Sequence, residues 1–181
     1  MTIVVATKYV SADDLGVLAE AGVETVGENR LQDLEAKHAR YGDAFTWHFI
    51  GHLQSRKAPR VSELVELVHS LDSLSAARRL TVPALVEVNL SGEESKSGVA
   101  PDELGQFLAD AAESGVDSRG LMTMPPLAED PETSRPFFRR LRELAAEHGL
   151  PELSMGTSQD YRVAAEEGAT LVRVGSSLFS R

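Results

Sequence analysis

Short β-rich segments alternate with helical segments along the whole of this 181-residue chain. Runs of apolar and β-branched residues predict eight strands, at residues 2–8, 24–28, 46–51, 67–72, 84–89, 118–123, 152–155 and 170–175. Helical periodicity indicates seven helices between them, at residues 12–21, 31–40, 54–66, 75–80, 101–114, 131–148 and 159–167. This alternation is typical of parallel strands joined by right-handed crossovers.

Eight strand–helix units favour an α/β fold, one closed (β/α)8 barrel, as a single domain that covers residues 1–181. The alternative is an open doubly wound sheet. The chain is shorter than the ~200 residues at the low end of the barrel fold, and its fourth predicted helix is very short. We still favour the barrel, because all eight strands can be counted and no first strand–helix turn carries a G-x-G-x-x-G motif.

Composition and charge exclude several classes of function. The absence of cysteine rules out disulfides and zinc–thiolate sites and fits a reducing compartment, so we expect a cytoplasmic protein. A net charge of −10 disfavours a nucleic-acid partner, and no apolar run approaches the ~18 residues of a membrane span. His48 and His52 lie four residues apart at one strand end, which does not place them on one face, so we expect no metal site.

Lys8 ends the apolar first strand, where a barrel gathers its functional groups at the carboxyl ends of the strands. A lysine in such a setting is expected to be desolvated, which would lower its pKa and make its neutral amine a nucleophile toward a carbonyl. The alternative is a lysine whose ammonium reaches into solvent. Both interpretations stay open on the residues alone.

The loops after the last two predicted strands are small and rich in hydroxyl groups. Ser154 to Ser158, which include Gly156 and Thr157, precede a predicted helix, and Gly175 and Ser176 follow the eighth strand. Loops at these two places commonly bind phosphate in this fold. The simpler interpretation of Ser158 is that it caps the helix.

Arg173 lies within the apolar eighth strand and therefore needs a partner. Its guanidinium suits a carboxylate, a phosphate or a ring nitrogen acceptor. The alternative is a structural ion pair with Glu28, Asp72 or Glu87. An imine-forming lysine, a phosphate loop and a buried arginine together suggest pyridoxal 5′-phosphate (PLP), while a class I aldolase-type phosphosugar site is the weaker option.

Several longer strings have the sequence of one known family. They are Val4–Lys8, GENR from Gly27, HFIGHLQSRK from His48, HSLDS from His69, EVNLSGEESKSG from Glu87, RGLMTMPP from Arg119, SMGTSQD from Ser154 and VRVGSSLF from Val172. With them the chain resembles the YggS/PROSC family of PLP-binding homeostasis proteins, whose fold is the alanine racemase N-terminal barrel. The strings cover nearly the whole chain in the family's order.

The resemblance implies a role for each site residue. Lys8 would be the Schiff-base lysine, and Arg173 would face the pyridine nitrogen, which makes the ring a poorer electron sink. The phosphate would lie among the residues of the two last loops, and two further residues would lie beside the ring. These cofactor-binding residues are Ser154, Gly156, Thr157, Ser158, Gly175 and Ser176 for the phosphate end, and Asn29 and Met122 for the ring.

The resemblance also implies a function without established turnover. Such a protein would hold PLP, take part in PLP homeostasis and deliver the cofactor to PLP-dependent apo-enzymes, and we expect it to be a monomer. The alternative is a PLP-dependent amino-acid racemase on the same barrel. That alternative needs a second base, and Tyr9, the one tyrosine near Lys8 in sequence, is expected to point to the opposite side of the strand.

Four departures from the family pattern stand out. Family members usually carry a helical segment before the first strand, and the stretch at residues 75–82 is shorter than expected. Thr157 stands where a methionine is expected, and Tyr9 replaces a smaller residue. The first two departures concern the outer layer of the barrel rather than the site.

Overall fold

Eight parallel strands close into a barrel in which each strand pairs with the next along the chain and β8 pairs with β1. The structure is a computed structural model that describes residues 1–93 and 96–179, so Glu94 and Ser95 of the predicted motif lie outside the described residues. The strands are β1 Thr2–Ala6, β2 Thr25–Glu28, β3 Thr46–Phe49, β4 Leu67–Leu71, β5 Ala84–Glu87, β6 Ser118–Met122, β7 Glu152–Thr157 and β8 Leu171–Val174. The predicted barrel is confirmed.

Most of the helices on the outside of the barrel are shorter than the sequence pattern predicts. They are α1 Gly16–Glu20, α2 Leu31–Tyr41, α3 Ala58–Ser62, α4 Leu74–Ala77, α5 Leu104–Glu113, α6 Arg135–Glu147, α7 Tyr161–Glu166 and α8 Ser176–Phe179, with single 3-10 turns at Gly42–Ala44, Ser55–Lys57 and Pro131–Ser134. The predicted helix at residues 54–66 is in fact a 3-10 turn followed by α3, with Pro59 in the first turn of α3. Proline fits there because it lacks only an N–H that a helix start leaves unpaired.

The apolar core has two layers. Inside the barrel, strand residues pack against one another with Ile50: Val4, Leu67, Leu85, Met122 and Leu171. The larger layer lies between the strands and the helices and includes Phe49 and Phe138. Alternate residues of each strand face the two layers, which explains why nearly every strand residue is buried.

One buried ion pair joins β2 to α2. Lys37 contacts the carboxylate of Glu28, which is fully buried, and Lys37 Nζ also donates to the carbonyl of Thr7 at 2.8 Å. The Thr7 hydroxyl donates to Glu28 Oε1 at 2.6 Å. The end of β1, the end of β2 and the middle of α2 are therefore tied together directly beneath the carboxyl end of the barrel.

Candidate functional site

A cavity of about 290 Å³ opens at the carboxyl end of the barrel beside β1 and β8. Ala6 and Ile50 contribute apolar surface from the strand ends, and Met124 and Leu127 contribute it from the loop after β6. Seven of the residues predicted for the site line this cavity: Lys8, Asn29, Thr157, Ser158, Arg173, Gly175 and Ser176. Five separate loops and strands thus bring an amine, a guanidinium and several hydroxyl groups to one small volume.

Lys8 reaches this cavity from a turn rather than from a strand. β1 ends at Ala6, and Lys8 is exposed, so the expected desolvation of its amine is wrong. The predicted position of Tyr9 on the opposite side is also wrong, because the Lys8 Nζ lies 4.7 Å from the centre of the Tyr9 ring. The alternation of a strand no longer applies beyond Ala6, so both side chains can approach the same cavity.

The last two loops are joined by a hydrogen bond. The backbone N–H of Gly175 donates to Ser158 Oγ at 3.1 Å. Ser158 is not the residue before a helix, as the capping interpretation predicts, because α7 begins at Tyr161. Asp160 instead closes a turn, accepting at Oδ1 from the Thr157 N–H at 2.7 Å and from the Thr157 hydroxyl at 3.1 Å. This turn directs Thr157 and Ser158 to the cavity.

Two glycines allow the chain to pack closely around these loops. A Cβ at Gly175, just after β8, would lie 3.1 Å from the carbonyl oxygen of Ala6, so a larger residue there would require a small shift of one of the two segments. Gly156 has φ +91°, and a Cβ there would lie 2.5 Å from Ala164 Cβ. Gly156 therefore allows the end of β7 to pack closely against α7, and it does not line the cavity.

Arg173 is buried without an acidic partner among the described residues. Its Nη1 donates to the Ser154 carbonyl at 3.1 Å and to Ser154 Oγ, and its Nη2 donates to the Thr123 carbonyl at 3.1 Å. Burial lowers the pKa of Arg173 to about 10, so it remains a cation at neutral pH. The Nε–H and the second Nη2–H have no recorded protein partner in the part of the chain described.

The carboxylates considered as partners for Arg173 are engaged elsewhere. Glu28 pairs with Lys37, Glu87 accepts from the Ser97 hydroxyl at 2.9 Å, and Asp72 lies 3.5 Å from His52 Nδ1. Burial raises the pKa of both Glu87 and Asp72. Arg173 therefore does not form the alternative structural ion pair with any of these three carboxylates.

A chain of buried polar groups leads away from Arg173 through the barrel interior, and the sequence analysis missed it. Ser154 Oγ lies 2.8 Å from His69 Nδ1, and His69 Nε2 lies 2.9 Å from His48 Nδ1. Burial lowers the pKa of His48 to about 4 and that of His69 well below its usual value, so both rings are neutral at pH 7. His69 lies inside the apolar run predicted as the strand at residues 67–72, and a histidine within such a run was the available sequence signal.

Three predicted site residues lie close to the cavity without lining it, and a fourth carries an unpaired atom. Met122 packs in the interior layer, and Ser154 and Gly156 lie behind Arg173 and Thr157. Asn29 lines the cavity, and its Oδ1 is buried without a hydrogen-bond partner in the described residues. A buried acceptor of this kind is costly unless a ligand or water donates to it.

A second cavity of about 460 Å³ adjoins the first and shares Met124, Leu127, Thr157 and Gln159 with it. It is larger, but it contains neither Lys8 nor Arg173, so the chemistry belongs to the smaller cavity. In the ranges 1–93 and 96–179, no three histidine, aspartate or glutamate side chains are grouped to hold a metal ion. No helix in those ranges is long and apolar enough to cross a membrane.

Comparison with known proteins gives the same class of barrel. The model of the alanine racemase N-terminal domain matches residues 9–180. The pyridoxal phosphate homeostasis protein of Aquifex aeolicus is 41% identical over 96% of this chain and 84% of its own length. The protein of that name from Pseudomonas aeruginosa is 42% identical over 88% of this chain and 75% of its own length.

A solved structure agrees with these sequence matches. PipY of Synechococcus elongatus, determined with PLP bound, has a TM-score of 0.90 and 33% identity, over 99% of this chain and 92% of PipY. The barrel is thus of the alanine racemase N-terminal class. Within that class, the chain belongs to the family of pyridoxal phosphate homeostasis proteins, which confirms the resemblance noted in its sequence.

Proposed function

We propose that this protein binds pyridoxal 5′-phosphate through Lys8 and takes part in PLP homeostasis. The observation that carries the proposal is that the Lys8 amine, the Arg173 guanidinium and the Ser158 loop line one cavity of about 290 Å³. Two relatives are named pyridoxal phosphate homeostasis proteins, and PipY was determined with PLP bound. Both findings support the proposal.

The residues present fit the cofactor. The unpaired Oδ1 of Asn29 offers an acceptor beside the ring, and Gly175 leaves room where a Cβ would meet Ala6. Ile50 and Met124 supply apolar contact for a flat ring. When bound, PLP supplies an aldehyde that condenses with amines and a ring that withdraws electrons.

Each side chain has a separate task in this proposal. Lys8 Nζ is the amine that forms the Schiff base, and its exposed position lets it meet an aldehyde arriving from solvent. Ser158 and Ser176, with Thr157 and Gly175 beside them, surround the phosphate, since hydroxyl groups are among its usual donors.

Arg173 directs its remaining N–H groups toward the cofactor ring nitrogen. Because an arginine is a donor and has no proton acceptor, it keeps that nitrogen unprotonated and limits electron withdrawal by the ring. This role suits a protein that holds the cofactor rather than one that turns over amino acids rapidly.

Titration of the purified protein with PLP, followed by visible absorption, tests the binding site. Wild type should develop an imine band that borohydride abolishes, and Lys8→Ala should lose that band while staying folded. Lys57→Ala is the matched control, because Lys57 lies on the 3-10 turn Ser55–Lys57 and does not line the cavity. An undiminished band in Lys8→Ala would move the site to another lysine.

We also propose that the protein delivers PLP to PLP-dependent apo-enzymes, acts as a monomer and works in the cytoplasm. The family names and the exposed Lys8 support a cofactor that is held reversibly. Mixing the loaded protein with an apo-enzyme should restore that enzyme's activity faster than the measured release of PLP into solution. Restoration at the release rate would contradict direct delivery.

A racemase on the same barrel is the second candidate, and incubation with L- or D-alanine separates it from the first. Efficient racemisation needs acid and base groups on both faces of the α-carbon. Tyr9, the one tyrosine that lines the cavity in the part described, packs against the Lys8 amine rather than across the cavity from it. We expect slow exchange at most, and turnover at ~1 s⁻¹ or faster would favour the racemase.

A further inference from the structure

The polar chain behind Arg173 crosses the barrel interior from one end to the other. Arg173 lines the cavity that contains Lys8, at the carboxyl end of the strands. At the opposite end, where the strands begin, His48 lines a separate cavity of about 780 Å³, together with Glu66, Arg119 and Glu152. Ser154 and His69 connect the two and are fully buried.

The hydrogen atoms of this chain can be assigned by counting donors. Ser154 Oγ accepts from the charged guanidinium of Arg173, so its own hydrogen is free to donate, and His69 Nδ1 is the polar atom next to it. His69 then carries its hydrogen on Nε2 and donates it to His48 Nδ1. His48 carries its hydrogen on Nε2. Arg173, Ser154 and His69 each donate to the next group, so the hydrogen bonds of the chain run in one direction, from Arg173 to His48.

The opposite assignment, with the hydrogen of His69 on Nδ1, leaves the Ser154 hydroxyl without an acceptor. If His69 carried its hydrogen on Nδ1, Ser154 Oγ would receive two donors, and its own hydrogen would lose the acceptor recorded beside it. His69 Nε2 and His48 Nδ1 would also have to exchange roles, which places a hydrogen on His48 Nδ1. A buried donor without an acceptor costs more than a hydrogen bond contributes, so the forward direction is favoured.

We propose that Ser154 and His69 are positioning residues for Arg173, because the acceptor at His69 Nδ1 fixes the Ser154 hydroxyl that holds the guanidinium toward the cavity. The inference rests on the proposed function, in which Arg173 faces the cofactor ring. Thr123 O and Ser154 O hold the guanidinium from the backbone, and Ser154 Oγ is its one side-chain acceptor among the described residues. Without an acceptor at His69, the Ser154 hydroxyl rotates and no longer holds the guanidinium in its orientation toward the cavity.

Two variants of equal shape at His69 test this role. His69→Asn keeps an acceptor at the position of Nδ1, whereas His69→Leu has the same branching with no acceptor. Both remove the same ring volume beside His48, so a loss that comes from the gap alone would appear equally in the two. The same pair at His52, which is exposed and outside the polar chain, serves as the control.

We expect His69→Leu to weaken PLP binding by about tenfold, equivalent to ~1.4 kcal/mol, and to shift the absorption maximum of the loaded protein. His69→Asn should stay within about threefold of wild type, since one neutral acceptor replaces another. Equal losses in the two variants, or no loss in His69→Leu, would overturn the positioning role.

A measurement without cofactor covers the case in which the variants do not fold. Long-range ¹H–¹⁵N spectra of the ¹⁵N-histidine protein report which ring nitrogen carries hydrogen, and we expect the Nε2–H form for both His48 and His69 at pH 7. The Nδ1–H form at His69 would overturn the inference whether or not PLP binds. Absence of an imine band in wild type, with both histidines as assigned, would instead contradict the proposed function alone.

Discussion

Lys37 and Arg173 are buried to the same degree, with 5% and 6% of their surface exposed, but their surroundings differ in charge. Lys37 contacts the carboxylate of Glu28, which also accepts from Thr7. Arg173 has only neutral acceptors, on Ser154 and Thr123, and two N–H groups without a recorded protein partner among the described residues.

The difference separates a structural charge from one available to a ligand. A buried cation with its own carboxylate is neutralised within the fold and ties two elements together. A buried cation held by neutral groups keeps its charge and its spare donors for something that enters the cavity. On this account Lys37 contributes to stability and Arg173 to binding.

Lys37→Met should show the largest effect on stability. It leaves the fully buried Glu28 carboxylate without a cation, so we expect a loss of ~3–5 kcal/mol in the free energy of unfolding by urea titration. Folded Lys37→Met protein that is loaded with PLP should have the same absorption maximum as loaded wild type. Arg60→Gln, which removes exposed ion pairs with Glu35 and Glu63, is the control and should cost under ~1 kcal/mol. A similar cost in both variants would contradict the structural role.

Acid should lower the free energy of unfolding through His48, at the far end of the polar chain from Arg173. The pKa of His48 is about 4 in the folded protein and 6.5 in the unfolded chain, because burial disfavours the charged ring. The unfolded chain therefore binds a proton first as pH falls, and stability that is present above pH 6.5 is lost between about 6.5 and 4. The shift corresponds to a loss of about 3 kcal/mol from this residue.

His48→Asn isolates that contribution, because asparagine keeps an acceptor at the position of Nδ1 and does not titrate. The free energy of unfolding of wild type and variant should be compared from pH 7 to pH 4. We expect the wild-type curve to fall more steeply with acid than the variant curve. Parallel curves would mean that His48 is charged or exposed in the folded protein.

Arg173→Ala should have a smaller effect on stability than Lys37→Met and a clear effect on binding. No buried carboxylate loses its partner, so we expect under ~2 kcal/mol in the free energy of unfolding. PLP affinity should fall by about tenfold or more, with a shifted absorption maximum, because a charged donor faces the ring. A loss of several kcal/mol without a spectral change would instead make Arg173 a second structural cation, like Lys37.

The fold and the main binding groups were accessible from the sequence because both depend on local patterns. Eight apolar runs predicted the strands, and Lys8 and Arg173 stood out as charges at the end of one such run and within another. Lys37 was not singled out, although it lies three residues after Leu34 on the buried face of α2. That three-residue spacing is the sequence signal that places Lys37 on the same face as Leu34.

The remaining features depend on how separate strands meet. His48 and His69 are adjacent only because β3 and β4 pair with His48 opposite Leu67, and that register is not visible in either string. Tyr9 and Ser158 were misplaced because β1 ends at Ala6 and α7 begins only at Tyr161. Element ends of this kind are set by loop contacts such as the hydrogen bond from Gly175 to Ser158.

Peptide mapping of the borohydride-reduced complex with PLP tests the central claim most directly. Reduction makes the bond between the cofactor and its lysine permanent, and mass spectrometry then identifies the labelled residue. We predict one label per chain, on Lys8, and none on Lys37, whose amine is occupied by Glu28 and Thr7. A label on Lys57 or Lys96, or no label under conditions that saturate the visible band, would contradict the account.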